Sequence, residues 1–329
     1  MYLKIIVLFT CFLALFKCRQ AINPDSNLSG DARIQMLGLA IEEHPFEDSL
    51  YYLRAQYYYD QQVYNLATRD LQYAIKLDSL QPDYYHLLAD AYLDNQQSYE
   101  ALTVLNHATQ LFPLRVLTLL KLCEFQYILK QYESSLKTAK KIQAIDPLNA
   151  ESFFMTGLNY RELKDTINAL SALRFATSLD DRHIDGWIVL GQLVQTSNPT
   201  VALSYYENAL KADTTNIAAL HSLAGFFQDR GDYEKSLGLY RKIIELDPTY
   251  SDAFVHSGMI YFNMDSFTQA LNSFDILCRL EATNPDYPYY RGNAHEALGN
   301  KEAAILDYRQ TLRLYPEHNG AKEALEKLK

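Results

Sequence analysis

The amino-acid sequence predicts an all-α fold in which helical hairpins stack side by side as a solenoid. Three observations predict it: a period of 34 residues, apolar side chains at helical spacing on both sides of a turn, and small residues at fixed places in the period. The clearest copy is 217–250, where Leu220, Leu223 and Phe227 precede a turn at Gly231 and a second apolar stripe follows. Since a lone hairpin leaves one apolar face uncovered, the copies must stack to bury it.

Three registers of the period carry the repeat. The first holds a small residue in every copy, at Ala55, Ala89, Cys123, Gly157, Gly191, Ala224, Gly258 and Gly292. The second contains only alanine or serine, at Ala67, Ala101, Ser135, Ala169, Ala202, Ser236, Ala270 and Ala304. The third is mostly large, at Leu71, Leu105, Ala139, Leu173, Tyr206, Tyr240, Phe274 and Tyr308. Small residues let two helices approach to about 8–10 Å, and large residues one turn away fill the space around the crossing.

The chain begins with a short apolar segment, Met1–Cys18, in which Lys4 precedes a run of apolar or neutral residues. This run is shorter than the roughly 20 residues that a membrane-spanning helix needs, and it is typical of a secretory signal. The segment ends at Cys18, after which the sequence turns polar at once, and this resembles a bacterial lipoprotein signal. The resemblance implies that Cys18 is lipidated and becomes the first residue of the mature chain, although Lys17 stands where such signals prefer a small residue.

Two alternatives for this segment stay open: soluble secretion after cleavage near Ala21, and a buried N-terminal helix. A linker is predicted over 19–30, followed by a capping helix within 31–47 whose Ile34 and Ile41 share one face. Eight hairpins follow, at 48–81, 82–115, 116–149, 150–183, 184–216, 217–250, 251–284 and 285–318. The fifth is one residue short in its turn, and a last helix over 319–329 is expected to cap the stack.

The repeat pattern resembles the tetratricopeptide repeat over about 48–318, some four fifths of the chain. The resemblance rests on small residues at repeat positions 8 and 20, an aromatic residue or leucine at position 24, and proline at position 32, found at Pro113, Pro147, Pro248 and Pro316. Other residues replace that proline elsewhere, and only Trp187 keeps the early tryptophan of the family. The resemblance implies a right-handed superhelical solenoid of about eight hairpins, with capping helices at both ends, that binds other proteins.

Composition and motifs argue against several functional classes. The formal net charge is −10, from 30 Lys and Arg against 40 Asp and Glu, and the absence of a basic stripe argues against nucleic acid as a partner. No nucleotide-binding loop, zinc-binding pattern or nucleophile motif is found, so no cofactor, small-molecule substrate or enzymatic activity is predicted. His221 and His256 with Asp252 could hold a metal, but groove-lining histidines are the favoured interpretation. Cys123 and Cys278 are predicted to be buried thiols.

The first helix of each repeat, helix A, lines the inner groove in the family that the sequence resembles. Transferring the groove positions of the family predicts a partner-binding surface at Tyr52, Tyr59, Asp60, Asp83, His86, Asp90, Asp94, Tyr127, Phe154, Phe262 and Tyr289. The aromatic rings would accept apolar side chains, and the aspartates would favour a basic partner. Alternatively, some of these rings pack between repeats. The basic residues with which family members clamp a C-terminal carboxylate are absent, which argues against an acidic peptide tail as ligand.

These features together predict a non-enzymatic scaffold or adaptor that is exported to the bacterial cell envelope and tethered to a membrane by a lipid at Cys18. It would bind a partner protein or peptide in an aromatic, partly acidic groove. The alternative hypothesis is a periplasmic chaperone or carrier that holds secreted polypeptides in the same groove.

Overall fold

The computed structural model describes residues 31–328, and this part of the chain is helical with no strands. Its helices are α1 Ala32–Glu43, α2 Asp48–Asp60, α3 Tyr64–Leu77, α4 Pro82–Asp94, α5 Ser98–Leu111, α6 Val116–Ile128, α7 Tyr132–Ile145, α8 Ala150–Glu162, α9 Thr166–Leu179, α10 Ile184–Val194, α11 Pro199–Ala212, α12 Ile217–Gln228, α13 Tyr233–Leu246, α14 Ser251–Asn263, α15 Phe267–Leu280, α16 Asp286–Ala297, α17 Lys301–Leu314 and α18 Asn319–Lys327. Short turns connect them. The predictions for the signal segment, Cys18 and the linker lie outside the described residues.

Consecutive helices pack as hairpins, from α2 with α3 to α16 with α17. The chain divides into two compact units, the first ending at Pro147 and the second beginning at Leu148. In the described range the first unit contains α1–α7 and the second contains α8–α18. Nothing in the three repeat registers marks this division.

The three registers form the core of both units. Every residue of the second register is fully buried, and the large residues of the third register are buried with them. The large residue of a hairpin lies directly on the small residue of its helix A. A Cβ atom added to Gly191 would lie 2.6 Å from Cε1 of Tyr206, and one added to Gly157 would lie 2.5 Å from Cγ of Leu173. This close approach explains why the first register excludes larger side chains.

The turn inside every hairpin except the fifth contains a residue in the left-handed region, at repeat position 15. These residues are Gln62, Gln96, Lys130, Lys164, Gly231, Asp265 and Gly299, with φ values between 55° and 79°. The fifth hairpin, which is one residue short at this turn, has no such residue. Glycine reaches this conformation without steric cost, whereas the other residue types are held in it by the helices on either side.

Side-chain caps begin several of the helices. Asn216 Oδ1 accepts a hydrogen bond from the backbone N–H of Ala219 at 2.9 Å, which places Asn216 at the start of α12. Asp232 and Asn198 accept equivalent bonds at the starts of α13 and α11. These caps satisfy backbone donors that a first helical turn leaves unpaired, and they fix where each helix begins.

Two arginine–aspartate pairs occupy the same repeat positions, 7 and 23, in the first and last hairpins. Arg54 Nε lies 2.6 Å from Asp70 Oδ2 in the first unit, and Arg291 Nη2 lies 2.6 Å from Asp307 Oδ1 in the second. Both aspartate side chains are buried, at 3% and 7% exposure. Hydrogen bonds from two guanidinium nitrogens to each carboxylate compensate the buried charges. Spacing in the sequence does not predict these pairs.

Short helices cover the exposed ends of the two units. Ile34 and Ile41 of α1 pack against the core of the first hairpin, on the face that the sequence predicts. At the other end of the chain, Ala321 of α18 is buried, and Leu325 packs beside it against the last hairpin. Within residues 31–328, no helix is both long enough and apolar enough to cross a membrane.

The two described cysteines differ in environment. Cys123 is fully buried, as predicted, with its Sγ 3.3 Å from the carbonyl oxygen of Ser135. Cys278 is half-buried rather than buried, and desolvation raises the pKa of its thiol to about 11. Neither forms a disulfide.

Candidate functional site

The eleven predicted groove residues do not all lie in one unit. Eight of them are on α2, α4 and α6 of the first unit, and Phe154, Phe262 and Tyr289 are on α8, α14 and α16 of the second. Each group is therefore a separate candidate surface.

Tyrosines of the first unit form contacts between neighbouring repeats. The ring of Tyr52 lies 4.7 Å from that of Tyr84, and Tyr59 Oη donates a hydrogen bond to Asp94 Oδ2 at 2.5 Å. Burial raises the pKa of Tyr59, and the hydrogen bond to Asp94 raises it further. These contacts support the alternative in which some aromatic residues pack between repeats, although both Tyr52 and Tyr59 stay partly exposed.

Basic side chains offset much of the acidic stretch of the first unit. Lys121 Nζ lies 2.7 Å from Asp90 Oδ1, and Arg115 Nη2 lies 3.1 Å from Asp83 Oδ1. Burial raises the pKa of Asp90, while the hydrogen bond and charge of Lys121 oppose that rise. Of the two other members, Asp94 is bonded to Tyr59 rather than to a basic side chain, and Asp60 is exposed at the end of α2. The stretch is thus less negative than its sequence suggests.

His86 belongs to the same surface of the first unit. Its Nε2 lies 3.0 Å from Thr118 Oγ1, and its Nδ1 lies 3.9 Å from Asp83 Oδ1. Burial lowers the pKa of His86, and the neighbouring Arg115 and Lys121 lower it further, against the opposing charge of Asp83. The neutral imidazole is therefore favoured in the folded protein.

The remaining predicted aromatic residues differ in accessibility. Tyr127 is half-buried, with its ring 5.8 Å from that of Tyr132. Phe154 is only 9% exposed and its ring lies 4.5 Å from that of His183. Phe154 is therefore a packing residue, contrary to its prediction as a groove residue, because His183, in the turn before α10, covers its ring.

Two aromatic residues of the second unit remain accessible in part. Phe262 is half-buried, with its ring 5.2 Å from that of Phe267. Tyr289 is also half-buried, and its ring lies 4.5 Å from that of His318. Both can present part of a ring to a partner.

Sequence reasoning missed Lys121 and Arg115, which lie outside the groove positions carried over from the family. The signal that could have found Arg115 is its repeat position. Position 34 pairs with the acid at position 2 of the same repeat three times: Arg115 with Asp83 at 3.1 Å, His183 with Glu151 at 3.2 Å, and His318 with Asp286 at 3.6 Å.

The histidines considered as metal ligands contact aromatic rings. The rings of His221 and His256 are 5.2 Å apart, and His256 stacks on Tyr240 at 5.3 Å. Across residues 31–328, no group of three or more histidine, cysteine or acidic side chains is placed to hold a metal ion.

A cleft of about 310 Å³ lies between α3, α4 and α5 of the first unit. Its walls are Gln72, Ile75, Tyr85, Leu88, Tyr92, Thr103, Val104 and His107. It is small and mostly apolar, and Gln72 donates a hydrogen bond across it to Tyr92 Oη at 2.6 Å.

Consecutive helices packed as hairpins along the described residues define a helical-repeat fold. Three segments, 82–113, 219–253 and 257–319, match models of the tetratricopeptide repeat. These three segments therefore resemble the tetratricopeptide repeat, a module that in known proteins binds protein partners and is generally non-catalytic.

Known proteins resemble the chain in sequence or in fold. The type IV pilus assembly protein PilF of Pseudomonas aeruginosa is 28% identical over 176 residues, which cover 52% of this chain and 67% of that protein. A chain of the APC/C hetero-tetramer Cut9-Hcn1 aligns with a TM-score of 0.53 at 13% identity, covering 90% of this chain and 58% of that one. A tetratricopeptide repeat protein from Parabacteroides merdae aligns with a TM-score of 0.50 at 19% identity. That alignment covers 75% of this chain and 98% of the other. The predicted all-α fold of tetratricopeptide-type hairpins is confirmed.

Proposed function

We propose that the protein is a scaffold or adaptor at the bacterial cell envelope, tethered through Cys18, that binds a partner protein through its helix A surfaces. The observation that carries the binding role is the set of aromatic rings on helix A that stay partly exposed, namely Tyr52, Tyr59, Tyr127, Phe262 and Tyr289. Aromatic residues supply large apolar contact area at protein interfaces.

The similarity to PilF supports the envelope location, because the name of that relative assigns it to type IV pilus assembly. The apolar segment before Cys18 supports the tether. Multiple acyl chains would hold the protein at a membrane, whereas the segment alone is too short to span one.

The tether is tested with a labelled fatty acid in a bacterial host. We expect the label on the wild-type protein and none on the Cys18→Ser variant, which should also become extractable from membranes by buffer. Incorporation of label by both proteins, or by neither, would show that Cys18 is not the lipidated residue.

Charge reversal of Asp60 tests the acidic part of the surface. Asp60 is the suitable site because Asp83, Asp90 and Asp94 have partners within the fold. We expect Asp60→Lys to weaken capture of a basic partner from envelope extracts, more at low salt than at high salt. Glu133→Lys, a reversal at another exposed acidic residue, on α7, is the control. Equal effects of the two changes would remove Asp60 from the binding surface.

Captured proteins also separate the two functional hypotheses. One partner in fixed stoichiometry supports the scaffold. Many unfolded clients would instead support a periplasmic chaperone or carrier.

A further inference from the structure

Large apolar side chains project from the turns between repeats in the first unit, always at the same place. Leu80 and Leu114 occupy repeat position 33, and Phe46 stands 34 residues before Leu80 in the turn after α1. Their exposed fractions are 69%, 74% and 81%. We call these three residues the edge ladder. Exposed leucines and phenylalanines are common singly, but their recurrence at one repeat position requires a reason.

The fold itself does not demand apolar residues there. Leu148, the first residue of the second unit, continues the pattern and is 71% exposed. From the fourth repeat onward the same position holds polar residues, at Arg182, Thr215, Thr249, Thr283 and Glu317. The turns in both units connect helices of similar lengths. The apolar residues are therefore a property of the first part of the chain and not of the repeat.

The form of the edge ladder favours a lipid surface over a protein. A protein interface buries a contiguous apolar core, with polar residues around its rim. Each member of the ladder instead stands next in the chain to a polar residue, Glu47, Gln81 or Arg115, so each of these apolar side chains forms a tip with a polar neighbour. Such tips can each enter the boundary between headgroups and acyl chains, where apolar side chains gain burial and polar neighbours stay hydrated.

The chain before α1 brings the ladder within reach of a membrane. Cys18 precedes Asp31 by 13 residues. An extended chain spans at most about 3.5 Å per residue, so an anchor at Cys18 would hold α1 within roughly 45 Å of the bilayer. We propose that the edge ladder contacts the membrane surface and holds the first unit against it. The proposal uses the tether of the proposed function to explain proximity, but the contact itself is a separate property.

Tryptophan substitution tests the contact directly. Phe46→Trp, Leu80→Trp and Leu114→Trp are introduced one at a time into the full chain, which is added to vesicles of neutral phosphatidylcholine with or without bromine on the acyl chains. We expect a blue shift of the added fluorescence and quenching by the brominated lipid. Ile167→Trp is the matched control, since Ile167 is 83% exposed but lies on α9 of the second unit. The native Trp187 gives the background signal.

The proposal is overturned if the full chain does not associate with vesicles, or if all four added tryptophans stay equally unquenched on bound protein. It is also overturned if the ladder tryptophans become shielded only when an envelope protein is added, because the ladder would then be a protein contact. Each of these results is independent of fatty-acid labelling at Cys18, so failure of the ladder and failure of the tether can be told apart.

Removal of the ladder gives a second measurement. We expect the triple variant Phe46→Ser, Leu80→Ser, Leu114→Ser to leave neutral vesicles at least about tenfold faster than the wild type. The control variant Ile167→Ser with Leu306→Ser removes two apolar side chains that are exposed on helices, and its rate should not change. Unfolding curves of both variants should match the wild type, because none of these side chains is buried. Equal departure rates for the triple and control variants contradict the proposal.

Discussion

Gly191 shows how a single hydrogen in place of a side chain decides the packing of a hairpin. The ring of Tyr206 occupies the space that a Cβ atom would need. That ring is fully buried, and its hydroxyl donates to Gln195 Oε1 at 2.9 Å, so it has little freedom to move aside. Gly225 lies on the next helix A, but a Cβ atom added there would meet nothing within 4 Å.

These environments predict opposite effects for the same substitution. Gly191→Ala should lower the free energy of unfolding by about 1–3 kcal/mol, because it overfills a packed core. Gly225→Ala should raise it by about 0.5–1 kcal/mol, because alanine loses less backbone entropy in a helix. Urea unfolding followed by circular dichroism measures both. Destabilisation of similar size in the two variants would contradict the packing explanation.

His86 provides a pH-dependent prediction. Its pKa is lower in the folded protein than the unfolded value of about 6.5. The unfolded chain therefore binds the proton more readily, and this contribution to stability is complete above about pH 6.5 and is lost as pH falls towards the native pKa. We expect the unfolding free energy of His86→Gln to fall less than that of the wild type between pH 7.5 and pH 5. Parallel pH profiles would show that His86 does not contribute.

The candidate surface could be predicted only in part from the sequence. The family positions identified side chains on helix A, but they could not show that Lys121 lies beside Asp90, because that contact joins different repeats. Nor could they show that His183 covers Phe154. Pairing and accessibility depend on the rotation of neighbouring helices, which a repeat pattern does not determine.

At the scale of the secondary-structure elements, the turn inside the hairpin keeps one backbone conformation in every repeat except the fifth. Its left-handed residue recurs at position 15 whether it is glutamine, lysine, aspartate or glycine. Two helices that must cross at the small residues leave the connecting turn little choice of conformation. The backbone of the turn is therefore set by the packing of the helices.

Substitution of the turn glycine tests this. Gly231, with φ of 73°, lies between α12 and α13. Gly231→Ala should reduce the unfolding free energy by about 1 kcal/mol, because alanine is strained in the left-handed region. Gly238→Ala is the control, since Gly238 is inside α13 with open space around it. An equal or greater loss in the control would exclude turn strain as the cause.

The helices themselves were the most predictable part of the fold. Apolar spacing and the small-residue registers indicated the hairpins, because burial of those residues is what makes each hairpin stable. The paired Arg54 and Asp70 could not be predicted in the same way. They are 16 residues apart on different helices, and only the folded hairpin brings their charges together.

At the scale of the whole molecule, the division at Pro147 and Leu148 separates two bodies with their own cores. The Arg54–Asp70 pair of the first hairpin lies in the first unit, and the Arg291–Asp307 pair of the last hairpin lies in the second. Removal of either aspartate leaves a largely buried guanidinium without its closest partner. Such an unpaired buried charge lowers the free energy of unfolding.

We therefore expect each unit to have its own unfolding transition, which shifts only when a residue of that unit is substituted. Asp70→Ala should destabilise only the first unit and Asp307→Ala only the second, each by about 3 kcal/mol. Hydrogen exchange of peptides from each unit, measured across a denaturant series, distinguishes them. A single transition that both variants shift equally would show that the two units unfold as one.

The environments of Cys123 and Cys278 have a practical consequence. Each unit contains one described cysteine, but Cys123 is fully buried whereas Cys278 is only half-buried. A thiol-alkylating reagent in excess should therefore modify Cys123 only as fast as the first unit opens and should modify Cys278 sooner, with mass spectrometry of the peptides separating the two rates. Cys123 is thus a reporter of opening of the first unit that is already present in the protein, and its kinetics can be followed without any added label.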